Sequence, residues 1–417
     1  MRLRIWFLLS LFACAISYTY RQTVLAPWEH YLDVQHGVLK EAMGDLYSRW
    51  VGTRELLLHG RNPYGEEVSH EIQIGFYGRT IEQNYHEPQI IDEQRFAYPI
   101  YVVLFLAPSI HTDFATVRVI AVGVLALLTA ASVVLWVGVV RWRPPPLLLA
   151  AIILFVLSSP QLVQGLRLQQ LGLLVGLLVA LATWCLMRGR YALAGGVLAV
   201  ATIKPQMVLL CIAWLVIWTF GSWSKRWPLI AGFTLTLCAL IGVGELLFRG
   251  WICYFLAGLI AYRKYDPATP PMTVALGPTV GTAVSIVTLV ILLGFAWRRR
   301  SISEDSWDFV RILGLFFITT LLVFPLLPPF NQVLILLPVL MVLREWDSIP
   351  RLSRVFFTMF FAWPWAVSSL FLIHRPQTAS LSALPLLPSV PVPFLPLLLL
   401  IFLPRTRHQV PSIATAQ

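Results

Sequence analysis

Apolar residues run in long blocks along almost the whole chain, broken by short polar connections. A helix needs roughly 20 such residues to cross a 30 Å hydrocarbon core. On that measure the chain predicts a first span at 5–20. Further spans follow at about 115–140, 147–163, 171–187, 191–204, 206–221, 229–247, 279–297, 308–325, 331–343, 354–373 and 384–403. Prolines 325, 328, 329, 338 and 364 soften the later boundaries. The expected fold class is therefore an all-α polytopic membrane protein with about twelve transmembrane helices.

Basic residues set the orientation. Arg141/Arg143, Arg188/Arg190, Lys225/Arg226, Arg298 to Arg300, Arg344/Arg351/Arg354 and Arg405/Arg407 fall at every second connection, which makes those connections cytoplasmic. The run Ala97 to Pro108 is only about 12 residues long, bounded by Pro99 and Pro108. If it crossed, every later basic connection would move outside, so 97–110 reads as a re-entrant or interfacial segment. Met1-Arg-Leu-Arg and the apolar Ile5 to Tyr20 have the outline of a signal peptide, and Leu11-Phe-Ala-Cys14 that of a lipoprotein cleavage box. Everything downstream is also apolar, so the segment is expected to stay as the first helix.

The resulting organisation is a first helix at 1–20, an outer loop at 21–114, a transmembrane module at 115–247 and a second outer loop at 248–278. A C-terminal transmembrane module at 279–404 and a cytoplasmic tail at 405–417 complete it. Both termini lie in the cytoplasm, and the membrane is the cytoplasmic (inner) one.

Composition agrees with this picture. The 417 residues are 58% hydrophobic and 12% charged, which excludes a water-soluble globule. The net charge of +11 does not signal nucleic acid, because Lys and Arg sit in small groups between apolar spans. Five cysteines show neither CxxC nor metal spacing, and four lie inside apolar runs, as small hydrophobes do.

Most of the polar chemistry lies in the first outer loop, between Arg21 and Arg95. Helical periodicity runs from Glu41 to His59. Met43, Tyr47, Trp50, Leu57 and Leu58 fall near one face, while Asp45, Arg49 and Gly52 lie on another. Such a helix lies in the membrane interface. Gly60 and Pro63 then end it. Acids are few within the spans, Glu245 being the clearest. Asp33, Asp45, Glu66, Glu67, Asp92 and Glu93 are instead in this loop. Asp45 is singled out, because an interfacial helix would hold its carboxylate at headgroup height. A plainer role is also open to it: capping the helix and pairing with Arg49. Glu66 and Glu67 are adjacent and point apart on any regular element, so no metal site is expected from them.

A basic group forms the counterpart. Arg167 and Lys204 lie at outer ends of spans, and Arg263 and Lys264 lie in the second outer loop. Cations beside an interfacial pocket suit a lipid-linked phosphate, although they could equally snorkel to ordinary headgroups. Pro205, directly after Lys204, marks a broken helix that frees backbone to line a cavity. Phe330-Asn331-Gln332 is another polar break on that side.

The order Asp45-Leu-Tyr, Leu-Leu-Leu-His-Gly60-Arg-Asn-Pro-Tyr64, Phe96-Ala-Tyr-Pro99, Gln170 after an Arg, Gly-Arg-Tyr with Ala-Gly-Gly, and Lys204-Pro-Gln206 resembles glycosyltransferase family 87 over roughly residues 1–345. Gln169 stands where that family commonly has Gly, and Tyr98-Pro99-Ile100 stands for its Tyr-Pro-Pro. The resemblance implies the C-type glycosyltransferase fold, whose large first outer loop carries interfacial helices. It also implies mannosyl transfer from a polyprenyl-phosphate sugar donor to a glycan or glycolipid acceptor in the lipid bilayer. In that family the first outer loop supplies a catalytic Asp, which Asp45 matches.

The expected chemistry is inverting. Asp45 takes the proton of the acceptor hydroxyl, while Arg167, Lys204, Arg263 and Lys264 stabilise the leaving phosphate. Arg61, Asn62, Tyr64, Gln170, Gln206 and Asn331 are candidates for binding sugar or acceptor. No metal or cofactor is needed. The competing reading is a lipid or solute transporter or flippase, which would be expected to show an intramembrane carboxylate near the midplane and related halves.

Overall fold

The computed structural model describes residues 2–35, 43–81, 93–262, 269–325 and 329–374. All of its regular elements are helical. The first helix, α1 (Arg2–Tyr20), does not end where its apolar run ends. It passes through a π turn at Arg21–Leu25 into α2 (Ala26–Gln35), so the first part of the expected outer loop is a continuation of the membrane helix. The loop helix α3 covers Leu46–His59 rather than starting at Glu41; Glu41 and Ala42 lie outside the described residues. Gly44, at φ +77°, turns the chain just before it, and Gly60, at φ +66°, closes it with its N–H on Glu55 and Leu56 carbonyls. Next come α4 (Glu66–Tyr77) and a ten-residue helical stretch, Ile100–Ser109, whose centre is α5 (Val103–Leu106).

That stretch is tied at both ends to other elements. Near its start, the Tyr101 hydroxyl is bonded to the Thr202 carbonyl (3.0 Å), and at its end the Ser109 carbonyl accepts from Trp50 Nε1 (3.2 Å). Ten helical residues extend only about 15 Å, half of a hydrocarbon core.

The bundle itself contains α6 (Phe114–Val139), α7 (Pro146–Ser158), α8 (Pro160–Arg167), α9 (Gly172–Leu186), α10 (Tyr191–Ala201), α11 (Pro205–Phe220) and α12 (Trp223–Leu247). After α13 (Trp251–Tyr262) and α14 (Pro271–Leu276) come α15 (Pro278–Arg298), α16 (Trp307–Val323), α17 (Leu336–Arg344) and α18 (Arg351–Ile373). Among the described residues, five helices are long and apolar enough to span: Leu3–Tyr31, α6, α12, α15 and α18. The pair α7–α8 passes the same test only when taken together, as a broken span or a re-entrant loop, bent by 63° where Ser159 is extended and Pro160 opens the new helix. The other expected spans among the described residues are shorter helices, and 384–403 lies outside the described residues. The stretch 248–278, expected as a second outer loop, carries α13 and α14.

The shortness of the central helices has a physical reading. Helices α9, α10 and α11 have 15, 11 and 16 residues and are apolar throughout. Such helices cannot face water, and their inner faces are enclosed: Val179, Ala194, Trp214 and Trp218 are fully buried, while Leu193, Leu209 and Phe220 are exposed. The longer helices around them turn bare apolar side chains outward, such as Leu235 and Leu246 on α12. At about 17–24 Å, the central helices are too short to fill a 30 Å layer, and at one end their polar turn residues Gln170 and Lys204 are buried in the bundle.

The basic connections meet at one end. Arg226 donates to the carbonyls of Trp218 (2.7 Å), Arg300 (2.9 Å) and Ile302 (2.7 Å). Buried Glu304 accepts from Lys225 (2.7 Å) and the Tyr191 hydroxyl (2.5 Å). Arg141 pairs with Asp305, and Arg344 lies over the Trp307 ring. The turns preceding α9 and α11, with Gln170 and Lys204, lie at the opposite ends of those helices.

Candidate functional site

Asp45 is held by its backbone. Its N–H donates to the Leu168 carbonyl (3.0 Å), which fastens the start of α3 to the turn between α8 and α9. Its carbonyl accepts from Arg49 Nη1 (2.5 Å) and from the Ser48 hydroxyl (3.2 Å). Its carboxylate does not cap α3, so the plainer capping role is not the one it plays. Arg49 also donates to the Ser48 hydroxyl (2.8 Å) and lies 4.7 Å over the Tyr98 ring. Burial pushes the Tyr98 hydroxyl well above its ordinary value, Arg49 opposes that rise, and the Asp45 charge adds to it. Asp45, Arg49 and Tyr98 thus share one electrostatic neighbourhood.

The fastening turn is strained. Gln169 sits at φ 46°, a region where glycine is at ease and glutamine is not. The Gln169 side chain donates to the Arg167 carbonyl and rests on Gly44. A Cβ at Gly44 would lie 2.6 Å from Gln169 Oε1, and its φ of +77° penalises any side chain. Gly44→Ala is therefore expected to cost about 1–3 kcal/mol and to displace Asp45. Thermal unfolding and turnover should both fall, and adding Gln169→Gly should recover part of each. Unchanged turnover in Gly44→Ala would separate this contact from the site.

Lys204, in the turn between α10 and α11, is 7% exposed. It donates to Asn331 Oδ1 (2.9 Å) and Gln170 Oε1 (3.2 Å) and lies 4.8 Å over the Phe330 ring. The charges that bear on it are Asp45, which stabilises the ammonium, and Arg49, which opposes it. Among the described residues, two of its three donors go to neutral amides. A buried ammonium so placed draws little compensation from them and offers a seat for an anion.

Four of the expected site residues, Asp45, Gln170, Lys204 and Asn331, therefore converge. Arg49 and Tyr98 join them. Sequence reasoning treated Arg49 only as an i+4 partner for Asp45, and that spacing was its one available signal. Arg167 stands apart, paired with Glu29 of α2. Arg61 is occupied by Glu55 (2.9 Å), Glu71 (2.6 Å) and Glu67 (3.4 Å). Asn62 Oδ1 accepts from the Tyr64 N–H (3.0 Å), and the Tyr64 hydroxyl donates to the Tyr98 carbonyl (2.8 Å). These three residues brace the loop that backs Tyr98. Gln206 is exposed in the first turn of α11. Arg263 and Lys264 lie outside the described residues.

An all-helical membrane bundle with a carboxylate, two cations and amide groups gathered at the recessed end of its central helices defines a membrane-embedded binding or catalytic protein. A model of glycosyltransferase family 87 matches residues 96–325, more than half of the chain, and the chain belongs to that family. It is a membrane glycosyltransferase. No curated protein and no solved structure matches it. Tyr98, Arg167, Gln170, Lys204 and Gln206 fall within the matched stretch, whereas Asp45, Arg49 and Asn331 fall outside it.

Proposed function

We propose that the protein moves a sugar, mannose in our reading, from a polyprenyl-phosphate donor to a glycan or glycolipid acceptor with inversion at C1. The convergence of Asp45 and Lys204 carries this reading: a base and a buried cation lie within one electrostatic neighbourhood. The acceptor hydroxyl attacks C1, the C1–O(phosphate) bond breaks, and Asp45 takes the proton. The electron pair leaves on the polyprenyl phosphate, whose growing charge Lys204 and Arg49 stabilise. Phosphate is a competent leaving group, so the second carboxylate of a glycosidase is not required. Gln170 and Asn331 aim the ammonium, and exposed Gln206 faces the acceptor.

The site belongs, in this proposal, to the outer face of the cytoplasmic membrane, with both termini inside. The gathering of Arg141, Lys225, Arg226, Arg299 and Arg300 at the opposite end supports that orientation. The test is to incubate purified protein and membrane extract with radiolabelled polyprenyl-phosphate mannose, glucose and arabinose, and to determine the anomeric configuration of the product. Transfer of one sugar with inversion is expected. Absence of transfer from all three donors, or retention, would overturn the reading.

A further inference from the structure

A second group of cations lies at the junction of α1, α2, α6 and α8. Arg21 opens the π turn that interrupts the first membrane helix, a distortion that re-aims the side chains around it. Glu29 pairs with Arg167 and stands 3.6 Å from Arg21 Nη1. Arg118, in the second turn of α6, contributes a third guanidinium whose charge bears on Arg21. Arg21 and Arg167 share the one carboxylate of Glu29, and with the exposed Arg118, whose charge reaches Arg21, the group carries an excess of two positive charges.

Hydrogen bonding is also incomplete. Each guanidinium has five donors. Arg21 Nη1 is buried, and among the described residues no acceptor lies within hydrogen-bonding distance of it. The Arg21 and Arg167 side chains are only 23% and 21% exposed, so water does not readily supply what the protein lacks. The cluster sits where the lipid-facing surface ends: Tyr18 on α1 and Val119 and Ile120 on α6 are bare apolar side chains, whereas Gln22 and Thr23 are exposed polar ones. A change from bare apolar to exposed polar side chains suits the level of lipid headgroups. The side chains of this group differ from those of the site above, although the α8–α9 turn links the two. The charges bearing on Arg21 are Arg167, Glu29 and Arg118, and those bearing on Lys204 are Asp45 and Arg49.

We infer that Arg21, Arg118 and Arg167 bind the phosphate of a membrane lipid. Guanidinium forks match phosphate oxygens in pairs, and a phosphate would take up both the surplus charge and the unused donors. Glu29 competes with it, holding the arginines in place when no lipid is bound.

The test uses the full chain, delipidated in detergent, with phosphatidylglycerol and phosphatidylcholine titrated separately and binding read by native mass spectrometry and thermal unfolding. Phosphatidylglycerol should bind and raise the unfolding temperature, and phosphatidylcholine should do so much less. Arg21→Gln with Arg118→Gln should weaken phosphatidylglycerol at least ten-fold. Glu29→Gln, which removes the competing carboxylate, should strengthen it several-fold. A cluster that is only structural would show the reverse in Glu29→Gln: lower stability without tighter binding. That result, or unchanged affinity in the double variant, would overturn the inference. Undecaprenyl phosphate as a competitor separates two sources of the same chemistry. Displacement at equal concentration assigns the site to an isoprenoid-linked phosphate, and no displacement assigns it to a bulk phospholipid. Displacement by inorganic phosphate at that concentration would show that the lipid contributes nothing and would also overturn the inference.

Discussion

Asp45→Asn is expected to lower turnover by about 10² to 10⁴, the usual contribution of a positioned general base. Asparagine has nearly the same shape, and the contacts that fasten this position run through its backbone, from its N–H to Leu168 and from Arg49 and Ser48 to its carbonyl. The fold and donor affinity should therefore change little, and the loss should fall on kcat. Circular dichroism, thermal unfolding and steady-state kinetics together check this. A kcat within a few-fold of the parent would remove Asp45 from proton transfer, whatever its place in the pocket.

Lys204→Met should reduce kcat/KM by about 10² to 10³, the scale seen when one preorganised donor to a developing anion is lost. Methionine keeps much of the stem volume in a position that is 7% exposed, and it removes the charge that Asp45 balances. The effect should differ from that of Asp45→Asn by including a rise in the KM for the lipid-phosphate donor, because the ammonium meets the phosphate before and during transfer. Lys204→Arg should not rescue it fully. The site between Gln170, Asn331 and Phe330 is built around a compact ammonium, and a planar fork needs more room. A donor KM that stays constant in Lys204→Met would detach the residue from the phosphate.

Several features of the site were readable in the sequence because they depend on local chemistry. Gly60 and Pro63 end α3 through backbone conformation, and the chain shows it at φ +66°. Lys204-Pro205 announced a broken helix, and α11 does begin at Pro205. The apolar rhythm places the start of α3 at Glu41, whereas the helix begins at Leu46, because the left-handed turn at Gly44 is a matter of conformation rather than hydropathy. Arg167 was grouped with Lys204 on charge and approximate depth. Its partner, Glu29, lies 138 residues away on a helix whose continuation past Tyr20 the apolar pattern did not reveal.

Hydropathy and the spacing of basic residues were enough to define a polytopic helical bundle, because the cost of leaving backbone polar groups or charges in hydrocarbon is paid locally, segment by segment. Which polar residues share a pocket was beyond their reach. Asp45, Gln170, Lys204 and Asn331 come from four separate stretches of the chain, and only the packing of short central helices against the α8–α9 turn and the segment around Phe330 brings them within reach of one another. The same packing sends Arg167 to Glu29. Side-chain charge is a property of sequence, but the partner that compensates a buried charge is chosen by tertiary contacts.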